Sequence, residues 1–288
     1  MLRLLLDVIR NRLRMQCYLG REAEPIWTPL FQEAPGRRLS APSRRLCAIT
    51  DIGKRRDKNE DDYFLSADGN LWIVADGMGG HAAGEVASAM TIEAIVDSMR
   101  APGERPPFAE VWSDGDRLIQ AFAGANERVS GRSLSDTSCE GMGSTAIAGL
   151  VTGESLHLCH VGDTRGYHYS EGQFRRLTND HSLIWDLVMS GLLTSDQARF
   201  HPHRGRVTQA IGMPSGLRPE LTTLALKPAD RVLLCSDGLW EPLADQEMAQ
   251  IVASDGSMLD LASMLVDKAN ALGGPDNITA VLYEHSNR

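Results

Sequence analysis

Residues 143 to 177 read "GSTAIAGLVTGESLHLCHVGDTRGYHYSEGQFRRL". Four strand candidates, "STAIAGLV", "SLHLCHVG", "GYHY" and "QFRRL", follow one another with only turn-length breaks between them. A parallel pair needs a crossover of a dozen or more residues, usually a helix, and there is no room for one here. The stretch therefore predicts antiparallel pairing, which sets the chain apart from the parallel α/β class.

Upstream lie strand candidates "LCAIT" and "LWIVAD" and helical patterns over 83 to 99 and near 116 to 129. Downstream come a helix near 182 to 190, strands "LTTLAL" and "RVLLCSD", helices around 245 to 252 and 258 to 271, and a last strand "ITAVLYE". This mixture indicates an α+β domain over residues 46 to 288. Residues 1 to 45 read as a separate basic head. Leu2, Leu5, Leu6, Ile9 and Leu13 fall on one helical face and Arg3, Asp7, Arg10 and Arg14 on the other, while "APGRRLSAPSRR" (34 to 45) has linker composition. Trp27, Leu30 and Phe31 add apolar anchors to the head.

The 288 residues, 42% of them hydrophobic, suffice for a substantial core. No run of 18 apolar residues occurs and no secretory signal pattern begins the chain, so a soluble, cytoplasmic protein without membrane insertion is expected. Cys17, Cys47, Cys139, Cys159 and Cys235 are odd in number and never spaced C-x-x-C, which argues against a disulfide framework or cysteine zinc site. The net charge of −9 divides into +5 over residues 1 to 45 and −14 over the rest. An acidic body speaks against nucleic acid as a partner and suits cations.

The sharpest motif is "ADGMGGH" (75 to 81) directly after "LWIV". "GMGGHA" matches a dinucleotide-binding fingerprint, with Asp97 twenty residues beyond Gly77. Asp76 opposes that reading, because its carboxylate would repel a pyrophosphate at the loop, and so do the antiparallel strands downstream. Asp76 also has company. "KNEDDYF" (58 to 64) holds three consecutive acids, Asp163 follows a strand in "HVGDTRGY", Asp237 follows one in "VLLCSDGLW", and Asp276 precedes one in "GGPDNITAVL". Carboxylates at strand ends repel one another unless a cation neutralises them. Hard divalent ions such as Mg²⁺ and Mn²⁺ take carboxylate, carbonyl and water oxygens, and a glycine after Asp76 leaves its backbone carbonyl open as a ligand.

The ordered series "DIGKRRDKNEDDYF", "ADGMGGHAAGEVAS", "GMGSTAIAGL", "HVGDTRGYHY", "LTNDHSL", "VTQAIG", "LLCSDGLWEPL" and "GGPDNITAVL" resembles the metal-dependent protein phosphatases, the type 2C serine/threonine phosphatases, in their bacterial form. The resemblance covers residues 46 to 285. It implies an α-β-β-α sandwich of two antiparallel sheets flanked by helices, with a metal cluster at one end of the sheet pair. Asp76 would bridge two core ions, Mn²⁺ or Mg²⁺, with Asp237 and Asp276 completing the first and Glu60 and the Gly77 carbonyl holding the second. Asp163 would share a third, weaker ion with Asp237. Asp61 would orient the nucleophilic water and Arg56 would grip the substrate phosphate.

The implied activity is hydrolysis of phosphoserine and phosphothreonine on proteins by a bridging water that two ions activate, opposing a bacterial serine/threonine kinase. No cysteine or aspartyl-phosphate nucleophile competes with that mechanism. A catalytically weak phosphoprotein-binding or signal-sensing module on the same fold is the alternative; the complete acid set and Arg56 favour the enzyme. Met78 stands where many eukaryotic members carry a histidine proposed as general acid, which leaves that role unassigned, and His81 reads as a structural or supporting residue. His157, His160, His168, His201 and His203 have no ligand spacing. Residues 179 to 205 align with the variable flap beside the active site.

Overall fold

A computed structural model describes residues 36–43, 45–79, 83–100, 113–194, 197–198, 201–214 and 216–286. Among them are the strands β1 (Arg37–Ser43), β2 (Leu46–Asp51), β3 (Asp61–Leu65), β4 (Leu71–Met78), β5 (Gly143–Thr152) and β6 (Ser155–Val161). β7 (Arg165–Ser170), β8 (Gln173–Arg176), β9 (Glu220–Ala225), β10 (Arg231–Cys235) and β11 (Ile278–Glu284) follow. The longer helices are α1 (Ala83–Arg100), α2 (Asp114–Ser135), α3 (Leu183–Met189), α4 (Asp245–Ala253) and α5 (Met258–Ala271).

Alternation along the central strands explains the layering. In β4, Leu71, Ile73 and Ala75 face one cluster of buried side chains and Trp72 and Val74 face another. In β2, Cys47 and Ile49 point one way while Leu46 and Ala48 join Trp72 and Val74. Such strands are buried on both faces and form the middle of a sandwich. One sheet runs β1-β2-β11-β10-β7-β8 and the other β3-β4-β5-β6-β9, with antiparallel pairing throughout. Their facing sides share a core that includes Trp72, Ile147, Leu158, Leu234 and Val281. Helices α1 and α2 cover the outside of the second sheet through Ile95, Leu118 and Phe122, and α4 and α5 cover the first through Met248, Leu261 and Leu265. Each fully buried aliphatic side chain contributes about 1.5–3 kcal/mol to this arrangement. The α-β-β-α sandwich is the architecture expected from the sequence.

The helix starts are written locally. Ser113 caps α2 by accepting from the Asp116 N–H while Asp116 accepts from the Ser113 N–H, and Ser257 and Asp260 do the same for α5.

Two strands depart from the sequence expectation. Residues 37–43, inside the stretch expected to be linker, pair with β2 as an edge strand. Its register breaks between Ser40 and Ser43, around Pro42, which has no N–H to donate and is tolerated at an edge. The expectation failed because charge and proline outweigh its few apolar residues, whereas the strand is held through its polar groups. Arg37 donates to Asp51 (2.6 Å) and Asp267 (2.8 Å), Arg38 donates to Asp62 (2.8 Å), and Ser40 Oγ lies 3.0 Å from the Tyr63 hydroxyl. Strand β3 begins with two acids and was likewise not expected. The proposed amphipathic segment over 1 to 14 and the anchors Trp27, Leu30 and Phe31 lie outside the described residues. No described helix is long and apolar enough to cross a membrane.

Candidate metal centre

The antiparallel registers gather the acids at one end of the sandwich. Asp61 opens β3 directly opposite Asp76 near the end of β4. In the other sheet, the Ser236 N–H donates to the Thr279 carbonyl (3.1 Å), which extends the β10–β11 ladder beyond Cys235. Asp237 therefore leaves β10 beside the chain entering β11, where Asp276 sits. Gly238 makes the approach possible: a Cβ there would lie 2.0 Å from the Asn277 carbonyl oxygen. Asp237 begins a single helical turn, Asp237–Trp240, with Ser236 as its N-cap residue.

The electrostatics follow from this crowding. Burial, and then the charges of Asp61, Asp237, Asp163 and Asp276, push the Asp76 carboxyl well above the ordinary range. Asp237 is raised likewise, by burial and then by Asp163, Asp276, Glu241 and Asp61. Asp163 is pushed up to about 7 by burial and Asp180, against the opposing Arg165. For Asp61 burial dominates and carries it to about 6, despite hydrogen bonds from Ser236 and Thr279. These five acids thus sit in one mutual field.

Glu60 and Gly77 form the second half of the centre. A Cβ placed on Gly84, in the first turn of α1, would lie 2.6 Å from Glu60 Oε1 and 2.9 Å from the Gly77 carbonyl oxygen. The two oxygens thus border one small space that exists because Gly84 has no side chain. Gly77 is equally constrained, since its own Cβ would come within 2.0 Å of the Gly84 carbonyl. Carboxylate and carbonyl oxygens around a gap of this kind suit a hard divalent cation, so the donor set fits Mn²⁺ or Mg²⁺. Arg56 stands at the rim, exposed, with Nη2 2.6 Å from Asp276 Oδ2.

The turn carrying Asp163 is fixed from behind. Trp240 Nε1 donates to the Asp163 carbonyl (3.0 Å), and the Arg165 guanidinium stacks 3.4 Å over the Trp240 ring while donating twice to Asp180 (2.9 and 2.6 Å). His181 clasps the preceding residue: its N–H donates to the Gly162 carbonyl (2.9 Å) and its Nδ1 accepts from the Gly162 N–H (3.2 Å).

Sequence spacing gave no histidine ligand set, yet the fold brings His160, His181 and Glu220 together, with candidate ligand atoms within 4.8 Å of one another. The hydrogen bonds argue against a metal there. With Nδ1 of His181 accepting from Gly162, the neutral ring carries its proton on Nε2, which faces Glu220 Oε1 at 3.4 Å and has no lone pair to offer. His160 Nε2 is engaged with the Asn179 carbonyl at 2.8 Å. His181 braces the Gly162–Asp163 turn, with the His160 ring stacked against its own.

All eight residues expected at the site, Arg56, Glu60, Asp61, Asp76, Gly77, Asp163, Asp237 and Asp276, thus belong to one end of the sandwich. His81 lies outside the described residues. Sequence reasoning missed Gly84, Ser236 and Thr279, which shape the centre, and Asn277, whose Oδ1 accepts the Glu60 N–H (2.8 Å). For Ser236 and Asn277 the available signal was a polar residue directly beside a motif acid, Asp237 or Asp276, at the end of an apolar strand; Gly84 and Thr279 stand further from the acids.

A sandwich of two antiparallel sheets with hard oxygen donors at one end and a guanidinium at their rim defines a phosphate-ester hydrolase rather than a nucleotide-binding domain. The chain belongs to the protein phosphatase 2C family, whose model matches residues 53–274, and is a serine/threonine protein phosphatase. The serine/threonine phosphatase Stp of Listeria monocytogenes serotype 4b is 34% identical over 238 residues, covering 82% of this chain and 93% of that protein. The crystal structure of the Mycobacterium tuberculosis phosphatase PstP/Ppp matches with a TM-score of 0.74 at 33% identity, over 87% of this chain and 99% of that one. The catalytic domain of PstP in complex with two manganese ions matches with a TM-score of 0.73 at 32% identity, over 86% and 97% of the two chains.

Proposed function

We propose that this phosphatase hydrolyses phosphoserine and phosphothreonine on proteins with two core divalent cations, Mn²⁺ or Mg²⁺. Asp76 would contact both ions, Asp237 and Asp276 the first, and Glu60 with the Gly77 carbonyl the second. Asp163 and Asp237 would hold a weaker third. The observation that carries the reading is the pairing of a five-acid field with the Glu60–Gly77 gap at the same sheet end. When bound, such ions generate a nucleophile from water at neutral pH and neutralise the phosphoryl oxygens.

The chain's own residues do the rest. The Arg56 guanidinium, already within reach of Asp276, offers a planar pair of N–H donors to the phosphate oxygens of the substrate. The Asp61 carboxylate, held by Ser236 and Thr279, accepts a hydrogen from the attacking water and aims it along the ester bond. The flap around α3 borders a cavity of about 360 Å³ lined by residues that include Trp185, Met189, Thr208 and Gln209, and would meet the protein part of the substrate. In the cell the enzyme would act in the cytoplasm on phosphoproteins made by a cognate serine/threonine kinase.

The test is hydrolysis of p-nitrophenyl phosphate and of a phosphothreonine peptide with Mn²⁺, repeated with a chelator. Metal-dependent turnover of both substrates is expected. A chain that binds the phosphopeptide but shows no metal-dependent turnover would be a binding module instead.

A further inference from the structure

Behind Asp61 lies a group of buried hydroxyls whose hydrogen bonds have only one consistent direction. Asp61 Oδ2 accepts from Ser236 Oγ (2.6 Å) and from Thr279 Oγ1 (2.7 Å). Thr279 has one hydroxyl proton and commits it there, so in its 2.7 Å contact with Thr50 Oγ1 it is Thr50 that donates. The Thr50 oxygen in turn accepts from Asn59 Nδ2 (2.8 Å). Asn59 closes the loop, because its Oδ1 accepts the Asp61 backbone N–H (3.2 Å). Ser236 Oγ is itself held by the Thr279 N–H (3.0 Å). The Ser236 and Thr279 protons therefore both point to a single oxygen of Asp61, the Thr50 proton points to the Thr279 oxygen behind it, and Asp61 Oδ1 is left outside the circuit.

The placement is costly to explain by packing alone. Thr50 and Thr279 face each other across β2 and β11, Ser236 directly follows β10, and all three are completely buried. A pair of aliphatic side chains there would avoid the desolvation of the hydroxyls. The three come from the first sheet, whereas Asp61 begins an edge strand of the second. The circuit ties the two sheets together at the site and removes the rotational freedom of one carboxylate.

We propose that Thr279, Ser236, Thr50 and Asn59 are positioning residues for the phosphatase reaction, fixing the Asp61 carboxylate from behind so that Oδ1 is presented to the nucleophilic water. The inference rests on the reading of Asp61 as the acid that orients that water.

The experiment compares Thr279→Val, Thr279→Ser, Asp61→Asn and the double variant Asp61→Asn/Thr279→Val, measuring kcat and KM for p-nitrophenyl phosphate and the Mn²⁺ midpoint. Thr279→Val keeps the shape and removes the hydroxyl, so kcat falls about 10- to 100-fold while KM and the Mn²⁺ midpoint change less than about 3-fold. Thr279→Ser restores most of the rate. On the Asp61→Asn background, Thr279→Val adds less than about a 2-fold loss. If Thr279→Val does not fold, Thr50→Val tests the next donor in line, with a kcat loss of about 3- to 10-fold expected. Wild-type kcat in either folded valine variant, or losses that simply multiply in the double variant, would overturn the circuit while leaving Asp61 in its role. Wild-type kcat in Asp61→Asn would instead overturn the underlying assignment of Asp61, and the circuit with it.

Discussion

Gly84→Ala separates metal binding from stability more cleanly than removal of any ligand. The added methyl would lie 2.6 Å from Glu60 Oε1, 2.7 Å from Glu60 Cδ and 2.9 Å from the Gly77 carbonyl oxygen. Ordinary carbon–oxygen contact begins near 3.4 Å, so the Glu60 carboxylate must retreat by about 0.8 Å, several times the ~0.2 Å tolerance of a metal–ligand distance. The Gly77 carbonyl belongs to a paired strand and yields less easily. For the fold two effects oppose: Gly84 lies in the first turn of α1 without a left-handed backbone, where alanine is favoured over glycine by about 0.5–1 kcal/mol, while the crowding against the Gly77 carbonyl costs about 1 kcal/mol or more. The melting temperature of the metal-free protein should therefore stay within about 3 °C of the parent. The Mn²⁺ dependence of p-nitrophenyl phosphate hydrolysis should shift by at least about 10-fold, with much of the rate recovered at high Mn²⁺. Calorimetric titration would show one of the core sites weakened and the other retained. An unchanged Mn²⁺ midpoint in a well-folded Gly84→Ala protein would refute the placement of an ion between Glu60 and Gly77.

Asp76→Asn or Asp237→Asn should lower kcat by at least about 10²-fold while the metal-free protein folds normally at neutral pH, a combination that steady-state kinetics and thermal melts can check together. For pH, the acids whose folded-state pKa lies above the unfolded value, with Asp61 at about 6 and Asp163 at about 7, stabilise the metal-free fold below about pH 4 and lose that contribution as pH rises through about 7. Mn²⁺ must displace the same protons, so its affinity should weaken from pH 8 to pH 6, and titration in buffers of different ionisation enthalpy should register proton release. Arg56→Ala should raise KM for a phosphopeptide with a smaller fall in kcat, and Arg55→Ala should change neither much; the opposite ranking would move the phosphate contact by one residue. A chain starting at Arg45 loses β1 and its ties to Asp51, Asp62 and Asp267, and should melt at least about 5 °C lower than one starting at Glu33.

What the sequence made legible is what chemistry requires to be local. An acid and the glycine that lets the backbone turn beside it must be neighbours, so "ADG" and "SDG" announce Asp76 and Asp237 without any knowledge of the fold. The antiparallel sheets were legible for a similar reason, since the short breaks of residues 143 to 177 leave no room for a crossover. Strand β1 was hidden because its stability comes from arginine–carboxylate pairs reaching 14, 24 and 230 positions along the chain, and a window of composition sees only charge and proline. The circuit behind Asp61 was hidden in the same way: Ser236 and Thr279 lie 175 and 218 residues from it, each an ordinary hydroxyl at the end of an apolar strand. Gly84 is the intermediate case. It stands seven residues after Gly77 in a quoted motif, but its purpose, an empty volume shared by Glu60 and a carbonyl on β4, exists only once α1 has packed across the end of the sheet. Direct ligands are therefore fixed by local chemistry, while the residues that set their distances and orientations are fixed by packing, and it is on the latter that substitutions can alter catalysis without touching a ligand.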